Sequence, residues 1–278
     1  MRLSKHEGLG NDFLIALVDQ VPDHGPALAQ HLCARRTGIG ADGLIFGVRP
    51  EASGGSFRFV LFNADGSRPE VSGNGLRCLG QAIARDAGLD EVELTIETDA
   101  GQREMTVTRG AATVSMATVD MGAAAPGPST DVIANTDVVP ALQIGSVDMG
   151  NPHIVMQVED PRSFDMAVVG PAIEANYLPT GTNVHLIAPG AERSALTMAI
   201  WERGAGVTEA CGSGACAAAS VASAWDLCDT TVEVQMPGGA ATVAVGETIA
   251  LTGPASHIAS IEVPASRIEE IVAEVTHG

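Results

Sequence analysis

A short pattern occurs twice in this 278-residue chain, and the two copies differ in one reactive atom. The first copy reads Glu70-Val71-Ser72-Gly73-Asn74-Gly75 and leads into Leu76-Arg77-Cys78. The second reads Glu209-Ala210-Cys211-Gly212-Ser213-Gly214 and leads into Ala215-Cys216. Ser72 and Cys211 lie 139 residues apart, half the chain length, which predicts two similar halves with one reactive side chain apiece. Each copy looks like the glycine-rich start of a helix. There the first N–H groups have no intrahelical acceptor and carry partial positive charge, so a substrate carboxylate can rest on them. Cys211 in that position is expected to have a lowered thiol pKa, which favours a thiolate able to act as a general base. A carboxylate held between two such cradles would be stabilised as its α-proton leaves. Two groups on opposite faces of one carbon would carry a proton from one side to the other. One glycine-rich helix start with a cysteine is most often structural; the second copy at half-length spacing shifts the balance to chemistry.

Further polar residues sit in turns: Gly8-Leu9-Gly10-Asn11-Asp12-Phe13, Gly38-Ile39-Gly40-Ala41-Asp42-Gly43, Asn63-Ala64-Asp65-Gly66, Gly150-Asn151-Pro152-His153 and Gly181-Thr182-Asn183-Val184. A single asparagine in a turn is ordinary turn chemistry. Four of them (Asn11, Asn63, Asn151, Asn183), with Glu202-Arg203, suit recognition of ammonium and carboxylate groups. Arg203 can grip a carboxylate through two parallel hydrogen bonds.

The elements that must position these residues alternate strand and helix. Strands are expected over 13–18, 43–48, 57–62, 195–201 and 232–236, with a hairpin over 92–96 and 105–107. Helices are expected over 27–34, 75–86 and 215–227. In each half a strand runs through a polar turn and a small-residue loop into a helix and a strand pair, so each half reads as mixed α/β, a largely antiparallel sheet around a central helix. The expected division is 1–118 and 119–264, with 265–278 packing back on the first half and 123–128 as linker.

Apolar residues make up 45% of the chain but aromatics only 3%, so the cores must be built from Val, Ile, Leu, Ala and Met. The formal charge of −19 disfavours nucleic-acid and anionic-membrane partners. The five cysteines form no disulfide framework or zinc-ligand spacing, so no metal is expected, and Cys33, Cys78, Cys216 and Cys228 read as buried small hydrophobes. The amino terminus has no apolar signal region, which reads as a cytoplasmic protein.

In order along the chain, the motifs at 8–13, 38–43, 63–67, 73–75, 150–153, 181–184, 202–204 and 210–214 resemble those of the diaminopimelate epimerase family. The resemblance implies an isomerase that needs neither pyridoxal phosphate nor any other cofactor. It would interconvert LL- and meso-diaminopimelate for lysine and peptidoglycan precursor synthesis. It further implies two pseudo-symmetric halves, each a barrel-like sheet around a helix, with the active site in the cleft between them, and a homodimer. By position Cys211 is the implied proton acceptor, Ser72 stands in the partner cysteine's place, and His153 and Glu202 tune the reactive groups. Implied substrate contacts are Asn11, Asn63, Gly73, Asn74, Asn151, Asn183, Glu202, Arg203, Gly212 and Ser213. Gly43 departs from members that carry a glutamine there, and Ser72 departs more seriously, because a hydroxyl ionises far above neutral pH. Four readings of Ser72 stay open at this point. They are an epimerase whose serine relays a proton, an introduced Cys→Ser change that stops turnover, a one-base relative that eliminates or does other amino-acid chemistry, and a protein that only binds diaminopimelate.

Overall fold

The computed structural model describes residues 1–51, 55–69, 72–133 and 138–277. The chain runs β1 (Arg2–Gly8), β2 (Asn11–Val18), α1 (Gly25–Cys33), β3 (Gly43–Val48), β4 (Phe57–Asn63), α2 (Gly73–Ala87), β5 (Glu91–Thr98), β6 (Gly101–Arg109) and β7 (Val114–Asp120). It continues through β8 (Ala125–Pro126), β9 (Gln143–Asp148), β10 (Pro152–Gln157), α3 (Met166–Glu174), β11 (Asn183–Pro189) and β12 (Ala195–Trp201). The last elements are α4 (Gly212–Ala224), β13 (Thr231–Met236), β14 (Gly239–Val245), β15 (Ile249–Glu262) and α5 (Ala265–His277). Two compact units result, one of Met1–Val119 with the chain from Pro254 onward, the other of Asp120–Gly253.

In the first unit β1/β2 is antiparallel, β2/β3 parallel, β3/β4 antiparallel, β4/β5 parallel, and β5/β6 and β6/β7 antiparallel. β7 lies beside β15, whose later residues pair with β1, Arg2 opposite Glu262 and Leu3 opposite Ile261. That pairing closes an eight-strand barrel and removes the unpaired edges an open sheet would leave. Helix α2 contacts all six strands from β1 to β6, and every residue from Gly73 to Ala84 is buried. Its buried polar side chains therefore need partners. Arg77 donates to the Asn74 side chain at 2.8 Å, and Gln81 donates to the carbonyls of Thr113 and Ala255, each at 2.7 Å. On the other face of the sheet, Leu28 and Leu32 of α1 and Ile271 of α5 share a core with Leu14, Leu44, Phe46 and Val60.

The second unit repeats this succession. β9/β10 is antiparallel, β10/β11 parallel, β11/β12 antiparallel, β12/β13 parallel, and β13/β14 and β14/β15 antiparallel, with β8 added beside β9. Helix α4 contacts every strand from β9 to β14. Its sequence is nearly all Gly, Ala and Ser, which lets strands approach on every side and explains how a chain with so few aromatics fills its interior. On the opposite face of the sheet, Met166, Val169 and Ile173 of α3 pack with Ile154, Met156, Val184 and Leu186. The two units thus share strand order, pairing sense and helix insertion points. The register agrees as well: Phe13 lies opposite Gly43 in β2/β3, and His153 lies opposite Asn183 in β10/β11.

Several sequence expectations need correction. Residues 123–128 do not link the units: Ala125–Pro126 is a strand of the second unit, and the boundary falls at Val119/Asp120. Residues 254–264 belong to the first unit, because β15 runs on past Gly253 to pair with β1. Helix α4 stops at Ala224 instead of continuing to 227, since Asp226 turns the backbone to φ 60°. Strands β1, β7, β9, β10, β11, β14 and β15 are not among those expected from the sequence, although β10 and β11 are largely apolar and buried.

Candidate active site

Ser72 and Cys211 cap equivalent helices in the same way. Both have extended backbones, with φ −141° and −127°, and each side chain accepts the N–H three residues on. Gly75 donates to Ser72 Oγ at 3.0 Å, and Gly214 donates to Cys211 Sγ at 3.3 Å. The cap carbonyls in turn accept from Leu76 and Ala215, each at 2.9 Å. The first two helical positions, Gly73-Asn74 and Gly212-Ser213, are where a helix offers N–H groups to an anion. Glu70 and Val71 of the first motif lie outside the described residues. Glu209 of the second is exposed, and its backbone carbonyl accepts from Gly238 at 2.8 Å.

The expectation of a low-pKa thiol does not hold. Burial pushes Cys211 well above its ordinary value, and the adjacent Glu202 carboxylate pushes it the same way. The Ser213 hydroxyl, 3.6 Å from Sγ, and the Gly214 N–H pull downward but do not win. Desolvation of a thiolate outweighs the helix start, so the thiol stays protonated with a carboxylate beside it. Glu202 is itself fixed: its N–H and carbonyl bridge to Gly206 at 2.7 and 2.8 Å, and Thr208 donates its hydroxyl to the carboxylate.

Around this pair the second unit assembles most of its expected residues. Asn183 donates to the Pro152 carbonyl at 2.9 Å and accepts from the Arg203 N–H at 3.0 Å, so it ties the β10 entry to the Glu202-Arg203 turn. Arg203 in turn donates to the Thr180 carbonyl at 3.3 Å. His153 is fully buried; its Nε2 is 2.8 Å from Asn151 Oδ1 and its Nδ1 is 2.9 Å from Nε2 of His185. Burial, His185 and Arg203 together hold His153 well below the ordinary histidine value.

The first unit is built differently. Asn11 donates to Asp42 at 2.7 Å and accepts from Asn74 at 3.3 Å. Asp42 also takes the Asp12 N–H at 3.0 Å and Arg35 at 2.6 Å, so a carboxylate network orients Asn11. Asn63 donates to Ser67 Oγ at 3.0 Å and sits across from Gly43 in the β3/β4 register. Position for position, Asn11 matches Asn151, Phe13 matches His153, Gly43 matches Asn183 and Asn63 matches Glu202, each 139 or 140 residues apart. The serine half is thus apolar where the thiol half carries histidine.

Asp42, Thr208 and His185 were not singled out from the sequence as site residues. Asp42 and Thr208 look like turn residues, and His185 sits in an apolar strand where a buried histidine is unremarkable. The one available signal was the alternation Asn183-Val184-His185, which turns both polar side chains to one face.

Comparison with known proteins gives a consistent set of likenesses. The family profile described as diaminopimelate epimerase matches residues 3–125 and 145–258. A protein of Desulfitobacterium hafniense named diaminopimelate epimerase is 36% identical over 93% of this chain and 96% of its own length. A Rippkaea orientalis protein of the same name is 37% identical over 92% and 96%. Among solved structures, a predicted epimerase from Pseudomonas aeruginosa superposes with a TM-score of 0.74 at 15% identity, covering 94% of this chain and 98% of that one. A hydroxyproline epimerase from Agrobacterium vitis gives 0.71 at 13% identity over 94% and 91%. Both superpositions speak to the fold.

Proposed function

From the premise that the chain belongs to the diaminopimelate epimerase family, we propose that it moves the α-proton of diaminopimelate between opposite faces using its two capped helix starts. The protein is an isomerase that interconverts the LL and meso forms. The observation that carries the assignment of roles is the matched pair of caps, one a thiol with a carboxylate beside it.

In this reading the substrate carboxylate rests on the N–H groups of the helix starts at Gly73-Asn74 and Gly212-Ser213. Asn11, Asn63, Asn151, Asn183 and Arg203 hold its polar ends. Glu202 takes the Cys211 proton as substrate binds. The thiolate then removes the α-proton, and the negative charge that forms spreads into a carboxylate already held by fixed dipoles. The new proton arrives on the opposite face from Ser72. Because epimerisation is reversible, that side must donate in one direction and accept in the other. A serine hydroxyl is too weak an acid and base to do either unaided, so Ser72 relays the proton to and from a neighbouring group or water. A homodimer is proposed on the family's example.

Cys211→Ala tests the roles. It should abolish exchange of the α-proton with D₂O while diaminopimelate still binds; undiminished exchange would remove Cys211 from the mechanism.

A further inference from the structure

We propose that His185 is a positioning residue: through His153 it fixes the side-chain amide of Asn151 with its NH₂ directed to the substrate carboxylate. The inference rests on the reading of Asn151 as a substrate contact given above.

The argument is an accounting of hydrogens along three side chains. Asn151 Oδ1, His153 Nε2, His153 Nδ1 and His185 Nε2 form a chain with links of 2.8 and 2.9 Å. The two rings have centroids 5.1 Å apart and planes 27° apart, so at that nitrogen separation they meet edge to edge, as a hydrogen bond requires. Both histidines are fully buried, and burial depresses both, His185 to about 3, so each is a neutral ring with one N–H. Only two proton arrangements satisfy both links. In the first, His185 Nε2–H donates to His153 Nδ1 and His153 Nε2–H donates to Asn151 Oδ1. In the second every donor reverses, Asn151 turns its NH₂ toward His153, and His185 carries its hydrogen on Nδ1.

The surroundings of His185 decide between them. Its Nδ1 is buried and has no hydrogen-bond partner among the described residues. The second arrangement would place a donor N–H there, and orphaned buried N–H groups are rarer and costlier than unused acceptor lone pairs. The first leaves only a lone pair. His185 is also held in place: a Cβ on Gly214 would lie 2.5 and 2.6 Å from its ring carbon Cε1 and Nε2, so the ring sits hard against the glycine whose N–H Cys211 accepts. The chain of donors therefore runs outward from His185. Asn151 accepts through its oxygen and has its NH₂ left for an anion. Reversal would turn the amide oxygen to the carboxylate and repel it.

The first unit has no such device, since Phe13 and Ile45 stand in the two histidine positions and Asp42 orients Asn11 instead. Orientation of Asn151 thus depends on a residue that touches no substrate.

The experiment is ¹⁵N–¹H long-range correlation of histidine-labelled protein, combined with steady-state kinetics on LL-diaminopimelate for the wild type, His185→Phe and His185→Gln. Wild-type His153 should show the Nε2–H tautomer. His185→Phe should lose that single tautomer and raise KM about tenfold, with kcat changed less than about threefold. Glutamine donates to His153 Nδ1 in the same way and should restore both. An Nδ1–H tautomer in wild-type His153 would overturn the proposal, as would a Phe variant with unchanged tautomer and KM, or a Gln variant no better than Phe. If the Phe variant does not fold, the wild-type tautomer and the Gln variant still decide. Asn151→Ala with unchanged KM would overturn the substrate contact itself, while leaving the tautomer result intact.

Discussion

Glu202 sets a carboxylate against the Cys211 thiol where burial already favours the protonated form, so charge and desolvation both keep the thiol neutral. Glu202→Gln removes that charge but also removes the acceptor for the thiol proton. Two readouts should therefore move in opposite directions. The midpoint pH for iodoacetamide labelling of Cys211, followed by mass spectrometry, should fall, because the thiolate no longer faces a like charge. Exchange of the substrate α-proton should nevertheless drop by about 10²- to 10⁴-fold, the usual loss of a general base. Exchange that survives the substitution would mean Glu202 only tunes the thiol.

Ser72 Oγ occupies the cap that Sγ occupies in the other unit, at 3.0 Å from its glycine N–H against 3.3 Å. Ser72→Cys should fit that cap and raise turnover at pH 8 by at least about tenfold, since a thiol ionises far more readily than a hydroxyl. Ser72→Ala should stop inversion while leaving α-proton exchange at the Cys211 face. An alanine variant that still inverts at the wild-type rate would take Ser72 off the proton path.

Three buried histidines predict an acid-labile fold. Burial, first of all, lowers His6 from the ordinary 6.5 to about 4, His185 to about 3, and His153 well below 6.5. The unfolded chain takes up these protons near 6.5 while the folded chain refuses them. Stability is therefore full above pH 6.5 and falls as pH drops, by up to about 1.4 kcal/mol per pH unit for each histidine until its folded value is reached. Urea midpoints at pH 7.5, 6 and 5 should decline steeply, and His6→Gln should remove one proton's share of the slope. A flat profile would contradict the burial of these side chains.

Gly214 and Gly75 hold matching places but tolerate a methyl group differently. A Cβ at Gly214 meets the His185 ring at 2.5 Å, whereas at Gly75 the nearest atom is Phe59 Cζ at 3.1 Å. Gly214→Ala should destabilise by roughly 1–3 kcal/mol, as overpacking of a full core does, and Gly75→Ala by less. Denaturant unfolding of both variants checks the order.

The contrast between these two glycines also shows what the sequence could tell. The repeat at 72–75 and 211–214 was legible because both copies face one demand, a helix start that leaves room for an anion. The strands into β4 and β12 were legible from their apolar runs. The closure of the first barrel was not, because Arg2–Gly8 mixes charged and apolar residues and its partner lies at the far end of the chain. The direction of the Cys211 shift was misread, since sequence shows the helix start but not the burial that outweighs it. His185 escaped notice for a similar reason: its meaning comes from a parallel strand pairing that brings it to His153, 32 residues away.

The most direct measurement is proton NMR of LL-diaminopimelate with the wild-type protein in D₂O. The account predicts loss of the α-proton signal together with appearance of the meso isomer, deuterated at the inverted carbon. Absence of exchange at either α-carbon would contradict it, and exchange without any meso isomer would leave Cys211 working alone, with Ser72 supplying nothing to the opposite face.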